Sequence, residues 1–152
     1  MRDELVKIAA IKAYITGPSG GGKSTYAKEN FPEHEIVHLD DHSRFNKQDK
    51  FRPLITDWKA VGSRIDAAEK PVVLEGTSLR PSLIRKAERR IDVDPGRDVA
   101  VSRRVKRYMA RHPGKKTEEE AKAVAEKLYD NLYRQHIAPA AVKYDFERVH
   151  ER

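Results

Sequence analysis

Residues 17–24 read Gly17-Pro18-Ser19-Gly20-Gly21-Gly22-Lys23-Ser24, and Thr25 follows. The spacing is G-x-x-x-x-G-K-S, a phosphate-binding P-loop, and nothing else in the chain constrains the fold as much. A polyphosphate needs several backbone N–H groups aimed into one small concavity. Side chains would block its approach, so glycines fill the turn. Such a loop sits between a buried strand and a helix, whose N-terminal dipole favours the anion. Both neighbours are legible. Residues Ile8–Thr16 are apolar enough for a buried strand, and Ser24–Asn30 reads as a helix that begins near Gly22 and stops before Pro32. A flexible Gly/Ser loop would not require that order. Within the motif, Gly17, Pro18, Ser19, Gly20, Gly21, Gly22, Ser24 and Thr25 are expected to hold the nucleotide phosphates. Lys23 reaches the outer ones, and the Ser24 hydroxyl is a ligand for the accompanying Mg²⁺.

Strand and helix patterns alternate through the rest of the chain, which predicts an α/β fold with a mostly parallel sheet. Further strands are read at Glu35–Leu39, Pro71–Gly76 and Arg90–Asp94, and a last polar edge strand within Tyr144–Val149. With the first strand this makes five. Leu54, Trp58, Val61 and Ile65 recur at helical spacing, so a helix is expected from Leu54. Other helices are expected over Pro81–Arg90, over Pro95–Arg111 with Asp94 as its cap, and over Glu118–His136. Thr117 and Glu120 have the spacing of a capping box for the last of these, and Pro139 ends or kinks it.

Composition narrows the function classes. The 152 residues suit one domain. No apolar run approaches the roughly 18 residues of a membrane span, and the first residues lack the apolar core of a signal peptide. A cytoplasmic location follows as the default. Cysteine is absent, which excludes disulfides and Cys-based zinc sites. A net charge of +7 favours anionic partners: nucleotides, phosphorylated small molecules or nucleic acid.

Three polar signals fall at expected strand ends, where ligands bind in parallel sheets. They are the P-loop, Asp40-Asp41 and Glu75-Gly76. A carboxylate at the second position is placed to accept the proton of an acceptor hydroxyl. On an extended chain neighbouring side chains point to opposite sides, so one aspartate faces the phosphates. Asp40 is the favoured base, with Asp41 as helper or cap. Glu75 is placed beside Ser24 for Mg²⁺, with Asp40 a further candidate ligand. His38 and His42 flank the aspartates but lack the geometry of a zinc site; they read as polar histidines, with His42 a candidate substrate contact beside Arg44. Farther on, Arg103, Arg107 and Arg111 recur every four residues on one helical face, with Arg104 beside them. Like charges stacked this way are mildly unfavourable alone, and a polyphosphate would neutralise them. The alternative is a solvated basic face near the acidic run Glu118–Glu120.

These segments resemble the uridine kinase and phosphoribulokinase family of P-loop kinases. The resemblance rests on the P-loop, Leu39-Asp40-Asp41, Val72-Val73-Leu74-Glu75-Gly76, Ser102–Arg111, and the stretch Tyr133–Asp145. It implies a three-layer P-loop NTPase fold of the nucleoside/nucleotide kinase type, with a five-stranded sheet and a helical lid at approximately 103–117. It implies ATP and Mg²⁺ as cofactors and Asp40 as the catalytic carboxylate. It places Ser24 and Glu75 in the Mg²⁺ neighbourhood, and Arg104, Arg107 and Arg111 as catalytic lid arginines around the phosphates, with Arg103 and Arg107 toward the nucleotide. The chain departs from the family where the lid's aspartate is Tyr108 and its final Gly-Arg is His112-Pro113. The stretch between Asp41 and Pro71, where uridine kinases hold the base, is short.

The leading expectation is an ATP–Mg²⁺-dependent kinase acting on a hydroxyl of a nucleoside-like or other small-molecule acceptor. Asp40, Asp41, His42, Arg44 and Glu75 are the expected substrate-binding residues. A DNA or RNA hydroxyl as acceptor is the second expectation, motivated by the charge, and a nucleoside monophosphate kinase is a variant of it. A partner-stimulated ATPase switch is the alternative from another class.

Overall fold

The computed structural model describes residues 11–45 and 54–149. Strand β1 (Ile11–Thr16) is central, and the P-loop runs from its end into helix α1 (Lys23–Asn30). Strand β2 (Glu35–His38) is followed by a 3₁₀ turn at Leu39–His42. A short antiparallel hairpin, β3 (Ser43–Phe45) with β4 (Leu54–Thr56), leads into α2 (Trp58–Ala67). Then come β5 (Val72–Glu75), a single turn α3 (Pro81–Ile84), β6 (Arg89–Val93) and the long helix α4 (Arg97–Arg111). Helix α5 (Glu118–Lys127) widens into a π-helix over Leu128–Ile137, followed by α6 (Ala138–Lys143) and β7 (Glu147–Val149).

The main sheet has the order β2–β5–β1–β6–β7, and every pairing in it is parallel. Alternation along the strands divides its apolar residues between two faces. On one face Tyr14, Val37, Leu39, Val72 and Leu74 pack with Val61 and Ile65 of α2 and with Ile84. On the other, Ala13, Ile15, Val73, Ile91 and Val93 bury Ala27 of α1 and Phe31, the residue that caps its end. Helix α4 packs against α5 and the π-helix through Val101, Val105, Ala121, Ala125, Tyr129 and Tyr133. The result is the three-layer α/β P-loop arrangement, with all strand carboxyl ends opening on one edge.

Several element boundaries differ from the sequence reading. Residues 8–10 of the first expected strand lie outside the described residues. Leu54 begins a strand rather than a helix, because residues 54–56 pair with 43–45 and Asp57 caps α2 by accepting the Ala60 N–H at 3.0 Å. The helix opened by Pro81 lasts one turn, since Arg89 and Arg90 already pair with Ala13 and Tyr14 of β1. Helix α4 begins at Arg97, not Pro95, and Asp94 receives the Gly96 N–H in its side chain instead of acting as the cap residue. The Thr117–Glu120 capping box forms as expected, with bonds of 3.1 Å in both directions. The helix it opens turns π-helical at Leu128, and α-helical bonding resumes at Ala138 with Pro139 in the first turn. The expected edge strand is β7, shorter than Tyr144–Val149 and parallel to β6.

Candidate functional site

The P-loop wraps closely over the end of β6. A Cβ on Gly17 would lie 2.2 Å from the Val93 carbonyl oxygen, and one on Gly21 would lie 2.9 Å from it. Gly20, at φ +79°, lies against α4, where a Cβ would meet the Ala100 carbonyl at 2.5 Å. These positions exclude any side chain, which is the condition for backbone amides to form a concave cradle. Gly22, at φ +87°, turns the chain into α1, so that Lys23 and Ser24 stand at its positive end.

Lys23 is buried, and its Nζ donates to the Pro18 carbonyl at 2.9 Å. Burial pushes its pKa below the ordinary lysine value, while the carboxylates of Asp40 and Glu75 oppose the shift. Helix α4 brings its arginines onto the same loop. Arg104 Nη1 donates to Ser19 Oγ at 2.6 Å, and Arg107 Nη2 to the same oxygen at 3.3 Å. Burial and the neighbouring Arg107 lower the Arg104 pKa, and Asp40 offsets part of this. The cationic side of the cleft thus comes from two elements far apart in sequence.

Facing it, Asp40 and Asp41 lie in the 3₁₀ turn rather than on extended chain. The argument from strand alternation therefore does not apply to them, and both are exposed. Asp40 reaches over the end of β5, where a Cβ on Gly76 would meet its Oδ1 at 3.3 Å and Leu39 Cβ at 2.6 Å. Glu75, 5% exposed, receives a hydrogen bond of 2.6 Å from His38 Nδ1. A cleft of about 380 Å³ is lined by Ser19, Gly20, Gly22, Lys23, Ser24 and Thr25 on one side and by His38, Asp40, Asp41 and Glu75 on the other. Arg107 and Arg111 close it from α4.

Of the residues expected from sequence, Gly17, Pro18 and Gly21 are buried behind this lining as loop framework. Arg103 is exposed and outside it. His42 and Arg44 line a neighbouring depression of about 560 Å³, which shares Asp41 with the cleft and includes Ser43, Ile55 and Asp57. Its wall is tied to the 3₁₀ turn and to the loop after β5 by hydroxyls. Ser43 Oγ donates to the Leu39 carbonyl at 2.7 Å and meets Thr56 Oγ1 at 2.7 Å, and Thr56 Oγ1 donates to Ser78 Oγ at 2.6 Å. The sequence reading took His38 for an ordinary polar histidine, yet it stands in the cleft. The signal available was its place at a strand end, one strand away from Glu75.

Among the described residues, no helix is long and apolar enough to cross a membrane. Compared with known proteins, the chain matches no family model and no curated protein. Among solved structures it is similar to a gluconokinase from Sinorhizobium meliloti 1021, at 16% identity and a TM-score of 0.48, over 84% of this chain and 79% of that one.

Proposed function

We propose that this chain is an ATP- and Mg²⁺-dependent kinase of the cytoplasm, of the uridine kinase and phosphoribulokinase type, that moves the γ-phosphoryl group to a hydroxyl of a nucleoside-like or other small-molecule acceptor. One observation carries the reading: a carboxylate, Asp40, faces a phosphate cradle whose cations, Lys23, Arg104 and Arg107, converge from the loop and from the helix over it. The cradle that Cβ atoms would fill and the buried cation beside it fit a polyphosphate. Ser24 and Glu75, with Asp40, present the hard oxygen donors that Mg²⁺ takes, although among the described residues no group of three or more His, Asp or Glu side chains is placed to hold a metal ion. When bound, the ion supplies positive charge to the phosphate oxygens.

The residues of the chain divide the remaining work. Lys23 and the loop amides hold the phosphates. Arg104 and Arg107, with Arg111, offset charge that develops on the transferring group. Asp40 orients the acceptor hydroxyl and accepts its proton as the acceptor oxygen bonds to the γ-phosphorus; the bond from that phosphorus to the β,γ-bridging oxygen breaks, and ADP leaves. Asp41, His42 and Arg44 stand on the side from which the acceptor enters.

Transfer of label from γ-labelled ATP tests the reading, with separate pools of nucleosides, nucleoside monophosphates, sugars and polyols, and oligonucleotides. Label on a small-molecule pool is expected. Label released only as inorganic phosphate would overturn it in favour of an ATPase. The exposed Arg111 at the cleft and Arg44 in the adjoining depression, with the net charge of +7, favour a second reading in which the acceptor is a hydroxyl of DNA or RNA. Label on oligonucleotides, lost as salt rises, would select it.

A further inference from the structure

Behind the P-loop lie two buried carboxylates to which the proposed reaction gives no part. Asp92 and Asp94 are 2% and 4% exposed, at and just beyond the carboxyl end of β6. Buried charge is costly unless it is hydrogen-bonded, so each needs partners. The π-helix supplies them. Tyr133 donates its hydroxyl to both oxygens of Asp92, at 3.1 and 2.9 Å, and Tyr129 does the same to Asp94, at 3.2 and 3.1 Å. Arg148 of β7 approaches Asp94 Oδ2 at 3.6 Å. Burial raises the Asp92 carboxyl and pushes the Tyr129 hydroxyl up to about 12, so the phenols stay protonated donors at neutral pH.

What lies between and beside these carboxylates gives them a task beyond closing the core. Val93, between them, offers the carbonyl on which Gly17 and Gly21 of the P-loop rest. Asp94 Oδ1 accepts the Gly96 N–H at 3.0 Å, and the Gly96 carbonyl accepts the first bond of α4, from the Ala100 N–H, at 3.0 Å. Ala100 is in turn the residue whose carbonyl touches Gly20, and one turn later Arg104 reaches Ser19. A continuous path of contacts therefore runs from Tyr129 through Asp94 and Gly96 to the arginines over the phosphate cradle. Both tyrosines lie in the π-helix, and such segments recur at functional sites.

We propose that Tyr129 is a positioning residue for nucleotide binding: through Asp94 and Gly96 it fixes the start of α4 and so the seat of Arg104 on the P-loop, while Tyr133 and Asp92 brace the loop's floor. This rests on the reading of the loop as a polyphosphate site. It differs from a purely structural role in one respect, which is that its effect on binding runs through Arg104.

A double-mutant cycle on binding tests it, with calorimetric affinity for the non-hydrolysable analogue adenylyl imidodiphosphate as the readout. Tyr129→Phe is expected to weaken binding about three- to tenfold. In an Arg104→Ala background the same change is expected to add less than about twofold, because the contact it positions is already gone. Equal losses in both backgrounds, or a Tyr129→Phe affinity within about twofold of wild type, would overturn the proposal whatever happens to the melting temperature. If Tyr129→Phe does not fold, Asp94→Asn, which keeps the side-chain shape, enters the cycle under the same criteria. Wild-type protein that binds the analogue but transfers no label would overturn the kinase reading alone. Wild-type protein that does not bind it would overturn both.

Discussion

The two walls of the cleft are built by different means. On the P-loop wall the backbone makes the shape, and glycines stand where any Cβ would strike the Val93 or Ala100 carbonyl. Two arginines then share one serine hydroxyl. On the facing wall a 3₁₀ turn presents the exposed Asp40 and Asp41. The half-buried His42 at its end and the exposed Arg44 of the short hairpin beside it line the adjoining depression, tied down by a few hydroxyl bonds. A backbone cradle tolerates little variation in residue type, whereas a wall of side chains on a short hairpin can be rebuilt by substitution. The first wall is fixed by its backbone; the second depends on its particular residues.

Substitutions can break or sharpen this contrast. The largest effect is expected where the walls meet. Asp40→Asn should lower kcat by about 10² to 10⁴ while leaving the affinity for ATP largely intact. An unchanged kcat would reject Asp40 as the base, and a comparable loss in Asp41→Asn instead would transfer the role. On the P-loop wall, Arg104→Ala should lower kcat about 10²-fold, the scale of losing one fixed donor to developing charge. A rise in KM for ATP with kcat unchanged would make that arginine a binding contact only.

Gly20→Ala tests the backbone cradle directly. Its Cβ would meet backbone rather than a movable side-chain tip, at a positive φ, so α4 must lift from the loop. A loss of about 1–3 kcal/mol in nucleotide affinity or stability is expected. Wild-type values for both would show that the helix yields freely. Beside the facing wall, Arg44→Ala should raise KM for the acceptor by about three- to tenfold and leave KM for ATP unchanged, the loss of one partly solvated contact. An equal rise in both would erase the distinction between the walls.

The smallest effect is a proton count. Lys23 has a lowered pKa in the free protein, and an anionic phosphate beside it favours the charged form and raises that pKa. Nucleotide binding at pH values between the lowered pKa and the ordinary 10.5 should therefore take up a fraction of a proton. Calorimetry in two buffers of different ionisation enthalpy reads this. The uptake should vanish in Lys23→Met, and its persistence there would assign it to another group.

The P-loop wall was legible as structure because its demands are local. Gly17 to Ser24 are contiguous, and a loop between a strand and a helix needs no distant partner to be recognised. The arginines of α4 were legible as a face because helical periodicity groups residues four apart. Asp40 and Asp41 were legible as a strand-end pair but not as a 3₁₀ turn, since that geometry depends on the hairpin that follows. Leu54 was misread because its spacing to Trp58 fits a helix, while pairing with Phe45 across the hairpin prevails. His38 escaped because its partner, Glu75, is 37 residues away.

By itself, then, the amino-acid sequence determined the P-loop, the alternation of strands and helices that makes the parallel sheet, the basic helix, and the capping box at Thr117. Each follows from residues within a few positions of one another. Only the tertiary structure decided which arginines sit on the loop, which carboxylate approaches Lys23, and that Tyr129 and Tyr133 reach the buried aspartates behind it. Those contacts join residues 17 to 88 positions apart, and they exist because parallel strands bring their carboxyl ends to one edge and α4 crosses it. Such distances are set by packing, which no local pattern encodes.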